Sequence, residues 1–474
     1  MKVLIMGFGL HGGGLETAKY LLKHGADLTI SDLRDEKTLT PSINELETAC
    51  KGLGICPSIR YVLGRHDYKD FSDADMVIKN PAVKPDSPYL KSARRIETDI
   101  SLFLSAIDKM NLNIRLTAVT GSKGKSSTAS AIHFALSQLK ENQNTYLGGN
   151  ITKSPLSFLD KLSVGDDVVL ELSSWQLGDL KGRCIIKPKI AVMTPIFPDH
   201  LDHYGTMEAY INDKKIIYQG QSTDDFIIAK DDSWGNIFIS ESKAAGLFYS
   251  DAMLPEGIFG AWLEGDGPGL ARLQDGTVAE LVPAKPLVIG PHQKQNLLAA
   301  GLVLISMGFP PDAIKEALGS FPGIPHRMEL FHKSGSLSFY NDSAATIPEA
   351  AAASIAALAA HYGSVILVTG GTDKNLDFTP LFIAAAKAKK IILLDGTGSE
   401  KLAAMFTNAG IGFLGPCKQI ESAAKTAIEA ASPNDCIVLS PGCASFGMFL
   451  NEFDRGNKWK EAILKMESHG SGII

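Results

Sequence analysis

Cysteine is scarce and scattered: six occur among 474 residues, at positions 50, 56, 184, 417, 436 and 443, with no C-x-x-C pair. That pattern excludes a zinc ribbon and a disulfide scaffold and fits a reducing compartment. An excess of either charge is also lacking, since 46 Lys and Arg stand against 52 Asp and Glu, a net −6. No global basic field draws the chain to nucleic acid, so a polyanionic ligand needs local Lys/Arg clusters or backbone N–H groups. Long apolar runs are missing too. The least polar stretch, Ala350–Ala360, falls short of the ~18 residues a membrane span requires and reads as a buried helix. The run Val3–Leu10 is too short and too glycine-rich for a secretory signal. No 20–50-residue repeat is present, and the tail Ser468–Ile474 reads as frayed. The expectation is a cytoplasmic protein with no nucleic acid partner and no membrane insertion.

What the chain does have is ordinary globular composition, 45% hydrophobic and 21% charged, in a length that suggests two to four domains. Short apolar runs alternate with helical periods in three blocks, the pattern of parallel sheets covered by helices, so the fold class is α/β throughout. The first block, 1–104, opens with strand Lys2–Met6, a glycine-rich turn, helix Glu16–His24 and strand Leu28–Ser31 ending at Asp32. The second, 105–322, carries strands Leu116–Thr120, Val168–Leu172 and Ile190–Thr194, then a more β-like section from Phe226 to Ile289. The third, 323–474, alternates strands Leu337–Tyr340, Val365–Thr369, Ile391–Leu394 and Cys436–Leu439 with helices Pro348–Ala360, Pro380–Ala388, Glu400–Ala409 and Ile420–Ala431, a second doubly wound sheet.

The strongest motif is Thr120-Gly121-Ser122-Lys123-Gly124-Lys125-Ser126-Ser127, between a strand and a helix. Glycines turn backbone N–H groups toward a phosphate, Lys125 reaches the terminal phosphates, and Ser126 suits Mg²⁺. The strict G-x-x-x-x-G-K-[ST] pattern fails at its first position, Val119, so this is a shortened variant. Two polar signals follow the next strands: Glu171 near the carboxyl end of an apolar strand, and His200 within Thr194–His203. Ligands of open α/β sheets bind beyond the carboxyl ends of strands, so these groups should share one crevice. A carboxylate with a hydroxyl suits one Mg²⁺, and a histidine beside it a second. Helix Met207–Gln221 sets Tyr210, Lys214, Ile217 and Tyr218 on one apolar face. Desolvation lowers the pKa of such an amine, and a neutral Lys214 could add carbon dioxide to become a carbamate, an anionic metal ligand. The plainer alternative is a lysine whose stem packs while its head reaches water.

With Gly148-Gly149-Asn150-Ile151, Glu171-Leu172-Ser173-Ser174-Trp175-Gln176-Leu177, Asp199-His200-Leu201-Asp202, Gly290–Asn296, Pro325-His326-Arg327, Asn341-Asp342-Ser343 and Leu439–Phe446, the chain resembles, over nearly its whole length, the ATP-dependent muramyl ligases of peptidoglycan synthesis. The ELSSWQL, N-D-S-x-A-T and SPGCASF segments point to its D-glutamate-adding branch. The resemblance implies three domains: a Rossmann-like N-terminal one for the uridine nucleotide substrate, a central P-loop ATPase-like one with a mostly parallel sheet, and a Rossmann-like C-terminal one for the amino acid. It implies that Gly121, Ser122, Lys123, Gly124, Lys125, Ser126, Ser127 and Asn150 meet the ATP phosphates. Asn296 would bind adenine, and Arg327 and Asp342 would complete that pocket. Ser126 with Glu171, and His200 with a carbamylated Lys214, would hold two Mg²⁺. Thr346, Lys374 and Ser445 would receive the incoming amino acid, and Leu10, His11, Asp32 and Arg34 the uridine diphosphate. The implied substrates are ATP, D-glutamate and UDP-N-acetylmuramoyl-L-alanine, acting on a monomer whose domains hinge to keep water from an acyl phosphate.

Alone, Gly7-x-Gly9-x-x-Gly12 followed by Asp32 is the dinucleotide fingerprint of an NAD(P)-linked oxidoreductase. Beside the resemblance, it reads as a cradle for the diphosphate of a nucleotide-sugar. A P-loop binding module without catalysis is a further alternative, disfavoured by the presence of Lys125, Glu171, His200 and Lys214. Departures cluster at the glutamate end: Ala344 where a lysine is usual, Gly447 where an acidic residue is, and Glu452 where an aromatic is. They leave open a related ligase adding L-glutamate or another amino acid. Ser101, where a glutamate is common, reads as structural.

Overall fold

A computed structural model describes residues 1–469 apart from 11, 53, 55–58, 141–142 and 152, and their side chains except those at 202 and 467–469. The expected nucleotide contact His11, Cys56 and residues 470–474 of the tail lie outside the described residues. The chain packs as two units, residues 1–284 with 295–318, and residues 285–294 with 319–474.

The first unit holds two sheets. One is fully parallel: β1 (Lys2–Met6), β2 (Asp27–Asp32), β3 (Ile59–Leu63), β4 (Met76–Lys79) and β5 (Ile96–Glu97), in the order β3-β2-β1-β4-β5. Connections run to opposite sides from β1, so the crevice opens above its carboxyl end, where the glycine turn lies. That turn needs its glycines: Gly7, Gly9 and Gly12 have φ of 88°, 71° and 85°. A Cβ on Gly14 would strike the Phe8 carbonyl, so it lets helix Gly13–Lys23 pack close on the strand. Ser101 is structural, as its sequence suggests. Fully buried, it completes a capping box with Thr98 at the start of helix Asp99–Lys109, and its hydroxyl donates to Glu97 at 2.6 Å.

The other sheet is β6 (Arg115–Thr120), β7 (Thr145–Gly149), β8 (Asp167–Glu171), β9 (Ile190–Met193), β10 (Phe226–Lys230), β11 (Ala245–Ser250), β12 (Gly260–Leu263), β13 (Gly269–Arg272) and β14 (Val278–Val282). Its order is β14-β13-β12-β11-β10-β9-β6-β8-β7, parallel from β7 to β12 and antiparallel at the β13 and β14 edge. The central strands are apolar on both faces, as a sheet covered by helices requires. The helical run Met207–Gln221 is interrupted at Lys215, giving Met207–Lys214 and Ile216–Gln219. Tyr210, Lys214, Ile217 and Tyr218 are all buried, so the single-face reading survives the interruption.

The second unit is built on β15 (Glu329–Ser334), β16 (Leu337–Asn341), β17 (Val365–Thr369), β18 (Lys390–Leu394), β19 (Leu414–Cys417) and β20 (Cys436–Leu439). The order is β15-β16-β20-β17-β18-β19, with only β15 antiparallel. The stretch expected as a buried helix is a surface one. Helix Pro348–Tyr362 buries Pro348, Ala351, Ile355 and Leu358, packs Ala350 and Ala359 at the core margin and exposes Ala353, Ala356 and Ala360, where small size and helix propensity make alanine cheap. Helix Glu452–His469 was not read from the sequence, and it carries the start of the expected frayed tail as far as His469.

Candidate active site

The phosphate loop leaves β6 and enters helix Lys125–Leu139, with Gly121 at φ 147° and Gly124, the N-cap, at φ 89°. A Cβ on Gly124 would meet the Asn296 amide, so Asn296 lies against the loop. The Lys125 ammonium folds over the loop and donates to the carbonyls of Gly121 and Ser122, both at 3.0 Å. The Ser122 hydroxyl donates to the Phe197 carbonyl and lies 2.9 Å from the Tyr210 hydroxyl, tying the loop to the segment after β9 and to helix Met207–Lys214. Ser126 and Ser127 occupy the first turn of helix Lys125–Leu139, behind Lys123 and Gly124.

Glu171 ends β8 beside β6 and is 1% exposed. Asn150 donates to its Oε1 at 3.1 Å, while Oε2 is buried without a hydrogen-bond donor. An unpaired buried carboxylate oxygen costs several kcal/mol unless a cation or donor meets it, so this pair of oxygens fits a hard divalent ion. His200 takes the left-handed conformation, φ 54°, as the N-cap of the short helix Leu201–Tyr204, its ring 5.1 Å from that of Trp175.

Lys214 is 1% exposed. Its ammonium donates to Gly121 O at 2.8 Å and lies 4.5 Å from the centre of the Tyr210 ring. Burial, reinforced by the charge of Lys125, draws its pKa down to about 7, although Asp199 and Asp213 oppose the shift. An amine substantially neutral near pH 7 is the form that adds carbon dioxide. The plainer alternative, a head extended to water, does not occur. Among the described residues no cluster of three or more His, Cys, Asp or Glu forms a metal site. A divalent ion here would rely on Ser126 and Glu171, or on His200 and Lys214, completed by phosphate oxygens.

One cavity of about 790 Å³ lies within the first unit, and Glu171, Ser126 and the phosphate loop other than Lys125 are not among the residues that line it. Leu10, Asp32 and Arg34 line it from the first sheet, and Lys125, Asn150, His200 and Lys214 from the second. Asp32 is buried, and its two oxygens accept from the backbone N–H groups of Gly9, at 3.1 Å, and Arg34, at 2.9 Å, so it braces the glycine turn. His66, on the loop after β3, lines the same cavity and belongs to no motif, so residue type and spacing do not single it out.

In the second unit, Thr346, Lys374 and Ser445 lie on loops leaving β16, β17 and β20, at the carboxyl rim of the sheet. Thr372 and Ala444 exchange two backbone hydrogen bonds at 3.0 Å, which joins the Lys374 and Ser445 loops. Asp342 accepts from Ser440 Oγ at 2.7 Å and from the Met328 N–H at 3.0 Å, and so holds the turn that bears Arg327. Burial raises its pKa to about 6. Arg455, another residue sequence reasoning missed, is fully buried; it donates to Ser343 Oγ, Ser343 O and Cys443 O at 3.0, 2.8 and 3.1 Å. It fastens the N-D-S loop to the SPGCASF loop.

Family models describe three segments of this chain: the Mur ligase MurD-like N-terminal domain over residues 1–101, the Mur ligase middle domain over 119–304, and the Mur ligase glutamate ligase domain over 326–443. The UDP-N-acetylmuramoylalanine–D-glutamate ligase of Treponema pallidum (strain Nichols) is 38% identical, covering 97% of both chains. The enzymes of the same name from Borreliella afzelii and Roseiflexus sp. are each 36% identical over 98% of this chain and 97% and 98% of theirs. Among solved structures, the UDP-N-acetylmuramate-alanine ligase MurC of Thermotoga maritima superposes with a TM-score of 0.59 at 17% identity, covering 99% of this chain and 100% of that one. The MurF ligase of the same organism, solved in complex with ADP, gives 0.52 at 20% identity, covering 84% and 90%. At such identities the two structures speak for the fold.

Proposed function

This chain belongs to the Mur ligase family, and from that premise we propose that it joins D-glutamate to UDP-N-acetylmuramoyl-L-alanine in peptidoglycan precursor synthesis, with hydrolysis of ATP to ADP and phosphate. The observation that carries the reading is the shared cavity, lined by Gly7 and Gly9 of the glycine turn and by Lys125 of the phosphate loop, where a sugar-linked carboxylate would meet a γ-phosphoryl group. The catalytic region is Lys125, Glu171, His200 and Lys214. The reading includes three domains, residues 1–104, 105–322 and 323–474, a cytoplasmic location and a monomer.

A carboxylate is a poor electrophile, so its oxygen first attacks the γ-phosphorus and ADP leaves. The amine nitrogen of D-glutamate then attacks the acyl carbon and phosphate leaves, the amine proton passing to the phosphate or solvent. Lys125, whose ammonium folds over the loop, would place its charge between two groups that repel each other, the triphosphate and the carboxylate. Gly121 to Ser127 supply backbone donors for phosphate oxygens, and Asn150 orients the Glu171 carboxylate. Ser126 and Glu171 would hold one Mg²⁺, and His200 with carbamylated Lys214 another; such ions supply charge neutralisation at the transferring phosphoryl group. Leu10, Asp32 and Arg34 hold the uridine nucleotide and Asn296 the adenine, while within the second unit Thr346, Lys374 and Ser445 take the amino acid.

Phosphate release with ATP, Mg²⁺ and UDP-N-acetylmuramoyl-L-alanine, compared across D-glutamate, L-glutamate and other amino acids, tests the reading. Release with D-glutamate alone supports it. Release with another amino acid moves the specificity to Ala344, Gly447 and Glu452, and no release with any of them refutes it.

A further inference from the structure

The loop after β3 brings an imidazole into the substrate cavity that the reaction as described does not use. His66 lines the cavity beside Asp32 and Arg34, and its loop is pinned there by the Gly64 N–H, which donates to Arg34 O at 2.9 Å. Phe71 and Tyr89 meet the ring edge-on, with centroids 5.7 and 5.0 Å away, so its plane is fixed by packing. Burial holds the imidazole below its ordinary pKa, despite the nearby Asp32 charge, so it is neutral near pH 7.

Ser31 engages one ring nitrogen: its Oγ lies 2.7 Å from His66 Nδ1 and 3.5 Å from the Arg65 carbonyl. Nε2 meets no protein partner among the described residues, and with the Ser31 hydroxyl donating to Nδ1 it carries the ring proton.

The sheet order says what part of a nucleotide this donor faces. The glycine turn follows β1, Asp32 ends β2, and His66 follows β3, in adjacent parallel strands. With strands about 4.8 Å apart, the imidazole stands roughly 10 Å from the diphosphate cradle, the reach of a nucleoside from phosphate across ribose to the far edge of its base. The edge of uracil remote from ribose carries the O4 carbonyl, and the same position in cytosine carries an amino group.

We propose that His66 is the residue that reads the base of the nucleotide-sugar, its Nε2–H donating to uracil O4 and meeting a donor, and so rejecting it, when the base is cytosine. This rests on the uridine nucleotide assignment above. A good hydrogen bond replaced by two opposed donors changes affinity by roughly tenfold or more.

The test is calorimetric titration of the full-length protein with UDP-N-acetylmuramoyl-L-alanine and with its cytidine analogue. The wild type should prefer the uridine ligand at least tenfold. In His66→Phe that preference should collapse, with uridine binding weakened and cytidine binding equal or stronger, since the opposed donor is gone. His66→Gln, which keeps an N–H at the same reach, should recover part of it. ATP affinity should stay unchanged in both variants, which reports an intact fold. Equal loss for both ligands in His66→Phe, an undiminished preference, or no preference in the wild type overturns the assignment. Failure of the wild type to bind the uridine ligand at all overturns the substrate reading beneath it.

Discussion

Replacing Lys214 with methionine should inactivate the enzyme while removing a pH dependence from its stability. The ammonium is 1% exposed, and its pKa is drawn from 10.5 to about 7, chiefly by burial. Between those two values the unfolded chain binds a proton that the folded chain does not. Stability therefore rises with pH across that window, by about 1.4 kcal/mol per unit at most. Above pH 10.5 the penalty vanishes, and below pH 7 it is fully present. From pH 7.5 to 9.5 the wild type should gain about 2 kcal/mol relative to Lys214→Met, whose buried thioether does not titrate. Urea unfolding followed by tryptophan fluorescence in carbon dioxide-free buffer measures this as a divergence of midpoints. Added bicarbonate should further stabilise the wild type alone, since a carbamate forms only on the amine. Parallel pH profiles for the two proteins would refute the buried, largely neutral lysine.

Glu171→Gln removes a buried oxygen that has no protein donor, so the fold should be as stable or more so, while kcat falls roughly a hundredfold and the Mg²⁺ requirement rises. An unchanged Mg²⁺ titration would count against a metal at this carboxylate. Gly124→Ala forces a side chain onto φ 89° and into the Asn296 amide; about 1–3 kcal/mol of strain should lower the melting temperature and raise the ATP KM, and normal values of both would contradict the loop geometry. Arg455→Met breaks three hydrogen bonds between loops and should raise the D-glutamate KM well beyond the ATP KM, with partial rescue by Arg455→Lys. Equal effects on the two KM values would make Arg455 a purely structural residue.

The sheets were legible because their central strands are short apolar runs bounded by glycine and polar turns, and Leu116–Thr120, Val168–Leu172 and Ile190–Thr194 fall on β6, β8 and β9 within a residue. Elements that bury unusual residues were harder to see. Helix Glu452–His469 buries Arg455, Trp459, Ala462 and Ile463, a helical spacing, but its first inward residue is a guanidinium and masks the apolar period. The edge strands β15 and β19 are only partly buried, so neither shows strict alternation. At the site, the phosphate loop, Glu171, His200 and Lys214 announce themselves by residue type against apolar surroundings. His66 does not, because a lone histidine on a loop acquires meaning only when the Gly64 N–H and Ser31 fix it beside the Asp32 turn.

The most direct test of the mechanism is isotopic. UDP-N-acetylmuramoyl-L-alanine labelled with ¹⁸O in its terminal carboxylate is turned over with ATP and D-glutamate, and the inorganic phosphate released is analysed by mass spectrometry. If the carboxylate is phosphorylated before the amine attacks, one labelled oxygen per turnover appears in that phosphate. Phosphate free of label, with amide product formed, would contradict the acyl phosphate and with it the role assigned to the shared cavity.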